Sequence, residues 1–369
     1  MNIILGIESS CDDTAVAVVA DGHKLIGSLV ASQVKLHSQF GGVVPEVASR
    51  QHLATILPLV DELFQKTKLT RDDIDAIAVT TGPGLLGSLL IGINTAKTLA
   101  YLWKKPLIPV DHLVGHIYSN WVSHHIPAQW PLLALVVSGG HSELILMQGP
   151  TKFVSVGGTR DDAAGEAFDK AAKILRLGYP GGPAIAAEAA KLKTHPVRNL
   201  STGIKTFPIS NGVKNEKLKI ELPRPMINDG LDMSFSGLKT ALSKIANKFD
   251  RAAVAHEFQK AVVEVLAAKT NRAIKKYRPT ALLLAGGVAA NQVLREKLAQ
   301  VAQQQKINYY VPELKYCMDN AVMIALAAYF LRKRENNQWY NVKVKTNSEF
   351  TEKNSPPARG GVRGGGSIN

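Results

Sequence analysis

The sequence predicts an α/β protein built from two similar halves that face each other across a cleft. Three observations carry this. A strand–turn–strand–turn–strand pattern, IILGIE, SSCDD, TAVAVVA, ADGHK, LIGSLVAS, returns as LLALVV, SGGHS, ELILM, QGPTK, FVSVG, offset by about 130 residues. Each half then runs through helical stretches to a further apolar strand, IDAIAV (74–79) in the first and ALLLAG (281–286) in the second. Paired glycines sit in turns beside these strands, where they let backbone approach a ligand closely. Interfaces between such halves are where ligands usually bind.

The elements follow in order. The first three apolar runs are short, rich in β-branched residues and bounded by turn residues, so they read as strands. Apolar residues at helical spacing predict helices over 46–66, 87–103, 112–122, 161–176, 236–248, 251–277, 290–303 and 319–334. LIPVD (107–111) is a short strand between two of them. Several prolines and many lysines break the regularity over 193–232, which reads as a surface excursion. From about 335 the periodicity ends. NSPPARGGVRGGGSIN is Gly, Pro and Arg rich, predicts disorder and resembles tails that touch nucleic acid. The expected division is 1–128 for the first lobe, 129–334 for the second with its last helix returning toward the cleft, and 335–369 for a disordered basic tail.

Composition narrows the function classes. A chain of 369 residues with 46% hydrophobic residues suits two domains of an ordinary globular protein. The longest strongly apolar stretch, 321–331, is too short to span a bilayer, and no basic segment precedes the first apolar run, so neither a membrane protein nor a secretory signal is expected. Cys11 and Cys317 are the only cysteines, which gives no disulfide framework and points to a reducing cytoplasm. Net charge is +14, from 44 basic and 30 acidic residues. Clusters at 214–219, 269–278 and 331–334 contribute, and the excess favours an anionic macromolecule as partner.

The chemistry starts from His112 and His116 in VDHLVGHIYSN. Four residues is just over one helical turn, so both imidazoles share a helix face and can hold one transition metal. The sequence lacks the glutamate of HExxH, so no metalloprotease base is present. Asp319, in CMDNAVMIA at an expected helix start, can complete a two-histidine, one-carboxylate set. Three turns suit phosphate: GIESSCDDT (6–14), VVSGGHSEL (136–144) and LLLAGGVAAN (282–291), the last running into a helix N-terminus. TTGPGLLG offers a rival, a GxGxxG spacing at Gly82, Gly84 and Gly87 with Asp111 ending the next strand. Pro83 stiffens that turn, and the other glycine turns would go unexplained. There is no GxxxxGK[ST] and no GxSxG. Ser138 lacks an obvious acid to orient His141 as its base, so its hydroxyl is expected to bind phosphate rather than attack.

Taken in order, GIESSCDDT, HSQFGGVVPEVASRQH, TTGPGLLGSLLIG, VDHLVGHI, LLALVVSGGHSEL, DDAAGEAFDKAAKILRLGYPGGPAI, SFSGLKTAL, LLLAGGVAAN and DNAVMIA closely resemble the bacterial-type tRNA N6-adenosine threonylcarbamoyltransferases, a family formerly described as O-sialoglycoprotein endopeptidases. The likeness covers roughly 1–334 with a gap near 193–221. It implies the duplicated actin/sugar-kinase/Hsp70-like (ASKHA) fold. It also implies transfer of a threonylcarbamoyl group from threonylcarbamoyl-AMP to N6 of adenosine 37 in tRNAs reading codons that begin with A, with release of AMP. The family's metal ligands fall on His112, His116 and Asp319, for one divalent ion, iron(II) first and zinc(II) as the alternative. Contacts to threonylcarbamoyl-AMP or ATP/ADP fall on Val136, Val137, Ser138, Gly139, Gly140, Asp169, Gly182 and Asn291, and the acidic turn on Glu8, Asp12 and Asp13. Asp12 is the candidate base for the N6 proton. The implied partners are tRNA, a shorter inactive paralogue forming a heterodimer, and a small P-loop ATPase. Asp111 and Val114 stand where the family carries Asn and Glu, Ala186 stands where it carries aspartate, and the stretch before LPRPM is longer than the family pattern.

Overall fold

The structure, a computed structural model, describes residues 2–193, 197–198, 205–206, 220–332, 339–345 and 350. β1 (Ile3–Glu8), β2 (Asp13–Ala20) and β3 (Lys24–Ser32) form an antiparallel meander, turned between the last two by Asp21 and Gly22 at positive φ. α1 (Val34–Ser38) and α2 (Pro45–Thr67) lead to β4 (Ala76–Gly82), α3 (Leu86–Trp103), β5 (Leu107–Asp111), α4 (His112–Tyr118) and α5 (Asn120–Ser123). β4 lies parallel to β1, and β5 parallel to β4, giving the order β3-β2-β1-β4-β5.

The second half repeats this strand for strand. β6 (Leu132–Val137), β7 (Ser142–Gly149) and β8 (Lys152–Gly158) form the meander, followed by α6 (Ala164–Ile174) and α7 (Gly181–Ala190). The two-residue pair β9 (Val197–Arg198) and β10 (Lys205–Thr206) precedes α8 (Ser236–Ile245) and α9 (Arg251–Tyr277). β11 (Ala281–Ala285) then adds parallel to β6, α10 (Gln292–Gln305) follows, β12 (Asn308–Tyr310) adds parallel to β11, and α11 (Ala321–Leu331) comes last. The order β8-β7-β6-β11-β12 matches β3-β2-β1-β4-β5, so the echo in the sequence is a duplicated fold.

Three cores hold the layers together. α2 and α3 cover the outer face of the first sheet through Ile56, Leu63 and Leu89 against Leu5, Ile7 and Ile77. Phe168, Phe258 and Leu298, from α6, α9 and α10, cover the outer face of the second against Leu133, Leu135 and Leu282. Between the sheets lie α4 and α11, whose Leu113, Ile117, Ile324 and Ala325 meet Ala15 and Ala78 on one side and Ala134 and Val136 on the other. A helix walled in on every side must be apolar all round, which is why AVMIALAAYFL has no polar face.

The helices expected from the sequence form, with ends shifted by a few residues. α7 was not expected, because its GGP start reads as a turn. The last helix begins at Ala321 rather than 319 and packs on β1, β2 and α4 of the first half. Most of the excursion lies outside the described residues. Its far end, 220–232, is tied to α9 by Arg224 on Glu257 and Glu264 and by Lys269 Nζ on the carbonyls of Met226 and Asp229. The expected disorder beyond 335 needs correction in part. Trp339, Val342 and Val344 join the first lobe's core, and Lys345 N donates to Thr81 O at 2.7 Å. Apolar side chains in a polar, Asn- and Lys-rich context gave no periodic signal, so the sequence reading missed them. Phe350 joins the core between the sheets, against Phe153, and the rest of the tail lies outside the described residues. Among the described residues no helix is long and apolar enough to cross a membrane.

Candidate metal centre and cleft

α4 starts abruptly at the end of β5 because the Asp111 side chain caps it, accepting from Leu113 N and Val114 N. The cap fixes the first turn and so aims His112 and His116 together, with ring centroids 4.6 Å apart at 77°. Across from them Asn320 caps α11 by accepting from Met323 N, which holds the preceding Asp319 at the helix start. Asp319 Oδ1 lies 3.5 Å from His112 Nε2 and 3.2 Å from His116 Nε2. The approach is possible because Gly6 and Gly115 let α11 come close to β1 and α4. A Cβ at Gly6 would lie 2.5 Å from Ala321 O, and one at Gly115 would lie 2.8 Å from Ile324 Cδ1.

The three side chains are the cluster of potential metal ligands among the described residues, with one donor atom from each inside a 4.8 Å span. Two features of this structure fit a cation. His116 is fully buried, with Nε2 turned to the Asp319 carboxylate and Nδ1 lacking any hydrogen-bond partner, an unfavourable state for a polar atom unless something else binds it. His112 Nδ1 lies 3.2 Å from Glu8 Oε2 and 3.1 Å from Ser10 Oγ, so Nδ1–H donates outward and Nε2 faces Asp319, where a cation would displace its proton. Glu8 is itself held, by Ser10 N and by Thr80 Oγ1, each at 2.5 Å. Burial opposes ionisation of Glu8, but the neighbouring His112 outweighs it and keeps the carboxylate below its ordinary range. Burial likewise disfavours charge on His112, yet Asp319 and Glu8 hold it up at about 9. His116, buried and beside His112, is pushed down.

The triad opens onto a cleft of about 730 Å3 between the lobes. Of the residues expected there, Asp12, His112, Ser138, Gly139, Gly140, Asp169, Gly182, Asn291 and Asp319 line it. His116 sits behind, fully buried. Val136 and Val137 do not line it. They are in β6, with Val136 in the core between the sheets and Val137 in the outer core, so neither side chain reaches a ligand there. Gly139, Gly140 and Gly182 face open space. Asp169 Oδ1 accepts from Gly181 N at 2.7 Å, which fixes the turn before α7. Asn291 caps α10 through Leu294 N and donates to Gln259, so its side chain is already engaged. Gly286 turns toward β6, where a Cβ would strike Val137 O at 2.4 Å, while Gly287 lines the cleft.

Three residues that the sequence reading named without assigning them a ligand contact also line the cleft. His141 follows the Ser138 turn, closed by Ser138 N on His141 O at 2.8 Å, and burial with the nearby His112 and His116 pushes its pKa down to about 4. Asp13 is buried and raised to about 7 by desolvation and by Asp319 and Asp12. Ala186 lines the cleft as a methyl group. The glycines of the rival motif are explained by packing, because Gly84 abuts Ser10 O at 2.5 Å and Gly82 abuts Lys345 O at 1.9 Å, measured to the Cβ each lacks.

Two lobes of one topology around a cleft define an actin/sugar-kinase-like (ASKHA) fold, with a His–His–Asp triad at the cleft floor that could hold a metal. Solved structures agree on the fold. Full-length HypF in its phosphate- and nucleotide-bound form matches with a TM-score of 0.54 at 14% identity, over 95% of this chain and 47% of that one. Component A of the Acidaminococcus fermentans (R)-2-hydroxyglutaryl-CoA dehydratase matches with 0.51 at 14%, over 90% and 99%.

The sequence specifies the family. The model of the tRNA N6-adenosine threonylcarbamoyltransferases matches residues 24–326. A Thermomicrobium roseum protein of that name is 47% identical over 90% of this chain and 92% of its own length, and one from Listeria welshimeri is 48% identical over 88% and 90%. The chain belongs to the tRNA N6-adenosine threonylcarbamoyltransferase family.

Proposed function

We propose that the chain transfers the threonylcarbamoyl group of threonylcarbamoyl-AMP to N6 of adenosine 37 in tRNAs reading codons that begin with A, releasing AMP. The observation that carries this is the His112–His116–Asp319 triad at the floor of a cleft whose far wall is the Gly139–Gly140, Asp169 and Gly182 cradle, in a chain of this family. N6 attacks the carbonyl carbon, the carbon–oxygen bond to the phosphate breaks, and the electron pair leaves with AMP. A divalent cation held by His112, His116 and Asp319 would supply Lewis acidity toward carbonyl or phosphate oxygens. Nitrogen and carboxylate donors suit iron(II), our first assignment, or zinc(II). The protein's own groups do the rest. The Ser138–Gly140 turn offers a hydroxyl and close backbone to the phosphate, Asp169 is placed for ribose hydroxyls, and Asp12 on the opposite wall takes the N6 proton. With Ala186 contributing only a methyl, Asp169 is the carboxylate left to hold the ribose.

The partners are those the family resemblance implies, and surface and charge are consistent with them. The excess of basic residues suits tRNA phosphates, and adenosine 37 must leave its stack to reach the cleft. α2 and α3 expose Leu53, Leu57, Leu86 and Leu90. Such a face suits a protein partner, which we assign to the shorter inactive paralogue, with a small P-loop ATPase as a further component. We assign the reaction to the cytoplasm, a reading that two unpaired cysteines and a tRNA substrate support. The test is to supply threonylcarbamoyl-AMP and tRNA, with and without the partners, and to digest the tRNA for mass spectrometry. Modified adenosine supports the reading. A folded, metal-loaded enzyme that makes none under any combination overturns it.

A further inference from the structure

The HSQFGGVVPEVASRQH segment carries two histidines, His37 and His52, that are fully buried, lie away from the metal triad and are used by no step above. Each reaches from a helix to a loop on the first lobe's side of the cleft. His52, on α2, places Nε2 2.9 Å from Cys11 O and Nδ1 2.7 Å from Thr14 Oγ1. A carbonyl oxygen can only accept, so Nε2 carries the proton and Nδ1 accepts from the threonine hydroxyl. This ties down the turn that presents Ser10 and Asp12, and Ser10 Oγ in turn touches His112. His37, on α1, accepts from Val44 N at Nδ1, 3.3 Å away, and so donates from Nε2 to Gln33 Oε1 at 3.1 Å. That contact, with Gly42 N donating to His37 O at 3.3 Å, closes the Gly41–Val43 loop that lines the cleft.

We propose that His37 and His52 are positioning residues, two neutral Nε2–H imidazoles that fix the two loops forming the first lobe's wall of the cleft. The proposal rests on the reading of that cleft as the transfer site. The rings use opposite nitrogens for the contact that matters. His52 needs a donor where Nε2 stands, and His37 needs an acceptor where Nδ1 stands. Glutamine places an amide near the Nε2 position of histidine, and asparagine places one near Nδ1. The two sites therefore have crossed rescue patterns.

The experiment measures threonylcarbamoyl transfer and metal content for alanine, asparagine and glutamine at each position, and records long-range 1H–15N spectra of the wild-type imidazoles. His52→Ala and His37→Ala are expected to lower kcat/KM about 100-fold, the scale of a small misplacement of reacting groups, with metal content unchanged. His52→Gln and His37→Asn are expected to recover most of the rate, while His52→Asn and His37→Gln do not. The spectra are expected to show both rings as neutral Nε2–H tautomers. Equal rescue by the two amides at either site, full activity of folded alanine variants, or an Nδ1–H tautomer for either ring overturns the proposal. The tautomers are read without any turnover, so they decide it even where wild-type protein fails to transfer, an outcome that would instead count against the transferase reading.

Discussion

At the residue scale the proposed metal site leans on a carboxylate outside the triad. Glu8 comes from β1, 104 positions before His112, and fixes which imidazole nitrogen is free. Glu8→Gln keeps the shape but weakens the acceptor, so metal affinity should fall by about 10- to 100-fold, read by competition with a chelator while the fold stays intact. Unchanged affinity would remove Glu8 from the account. Asp13 gives a pH test. Its folded-state pKa, about 7, lies above the ordinary carboxylate value, so between the two the native state keeps a proton the unfolded chain gives up. Its contribution is therefore full below about pH 4 and is lost as pH rises through about 7. In metal-free protein, Asp13→Asn should flatten the fall in Tm between pH 5 and 8, and an unaltered slope would place the titration elsewhere. The spacing of His112 and His116 was legible in the sequence because a helix repeats locally. The partnership with Asp319 was legible only as a candidate, and Glu8's hold on His112 was not legible from spacing, because the fold brings both from far along the chain.

At the element scale the site is the meeting point of α4, α11 and β1, and the contact depends on what is absent. Gly6 gives α11 its seat. A methyl there would press on Ala321 O, two residues beyond Asp319, and push the helix start away from the histidines. Gly6→Ala should cost about 1–3 kcal/mol of stability and reduce metal binding as well, measured by denaturation and metal titration on one preparation. A stability loss with full metal affinity would show that the seat of α11 does not position Asp319. Helices with a clear apolar stripe, such as α2 and α9, were legible to within a few residues, because their periodicity is written in the residues that face a sheet. α7 was not, since a Gly-Gly-Pro start followed by alanines has no stripe to read. Val136 and Val137 can offer a ligand only their backbone. Lying just before a ligand-lining turn, they point into the cores on the two faces of one sheet.

At the scale of the whole molecule, duplication builds the cleft and the chain's last described residues brace it. The repeat was legible because strand–turn–strand patterns survive at the same spacing in both halves, and two copies of one topology leave a crevice where they face each other. The brace was hidden, because 339–345 is too short for any period. Val342 is nevertheless buried in the first lobe, and Lys345 lies against Gly82 at the end of β4, just before Pro83 and Gly84 at the cleft. Val342→Asp should lower the Tm by several degrees, since a carboxylate would replace an apolar side chain inside a core. No change would return this segment to the disorder its composition suggested.

The central claim is that one cation, held by two helices packed between the sheets, makes this cleft a transferase. Asp319→Asn tests it most directly, assayed with wild type for bound metal and for threonylcarbamoyl-adenosine in tRNA supplied with threonylcarbamoyl-AMP. The account predicts one metal per wild-type chain and modified tRNA, with both lost together in the variant. A metal-free Asp319→Asn protein that modifies tRNA at the wild-type rate would contradict it.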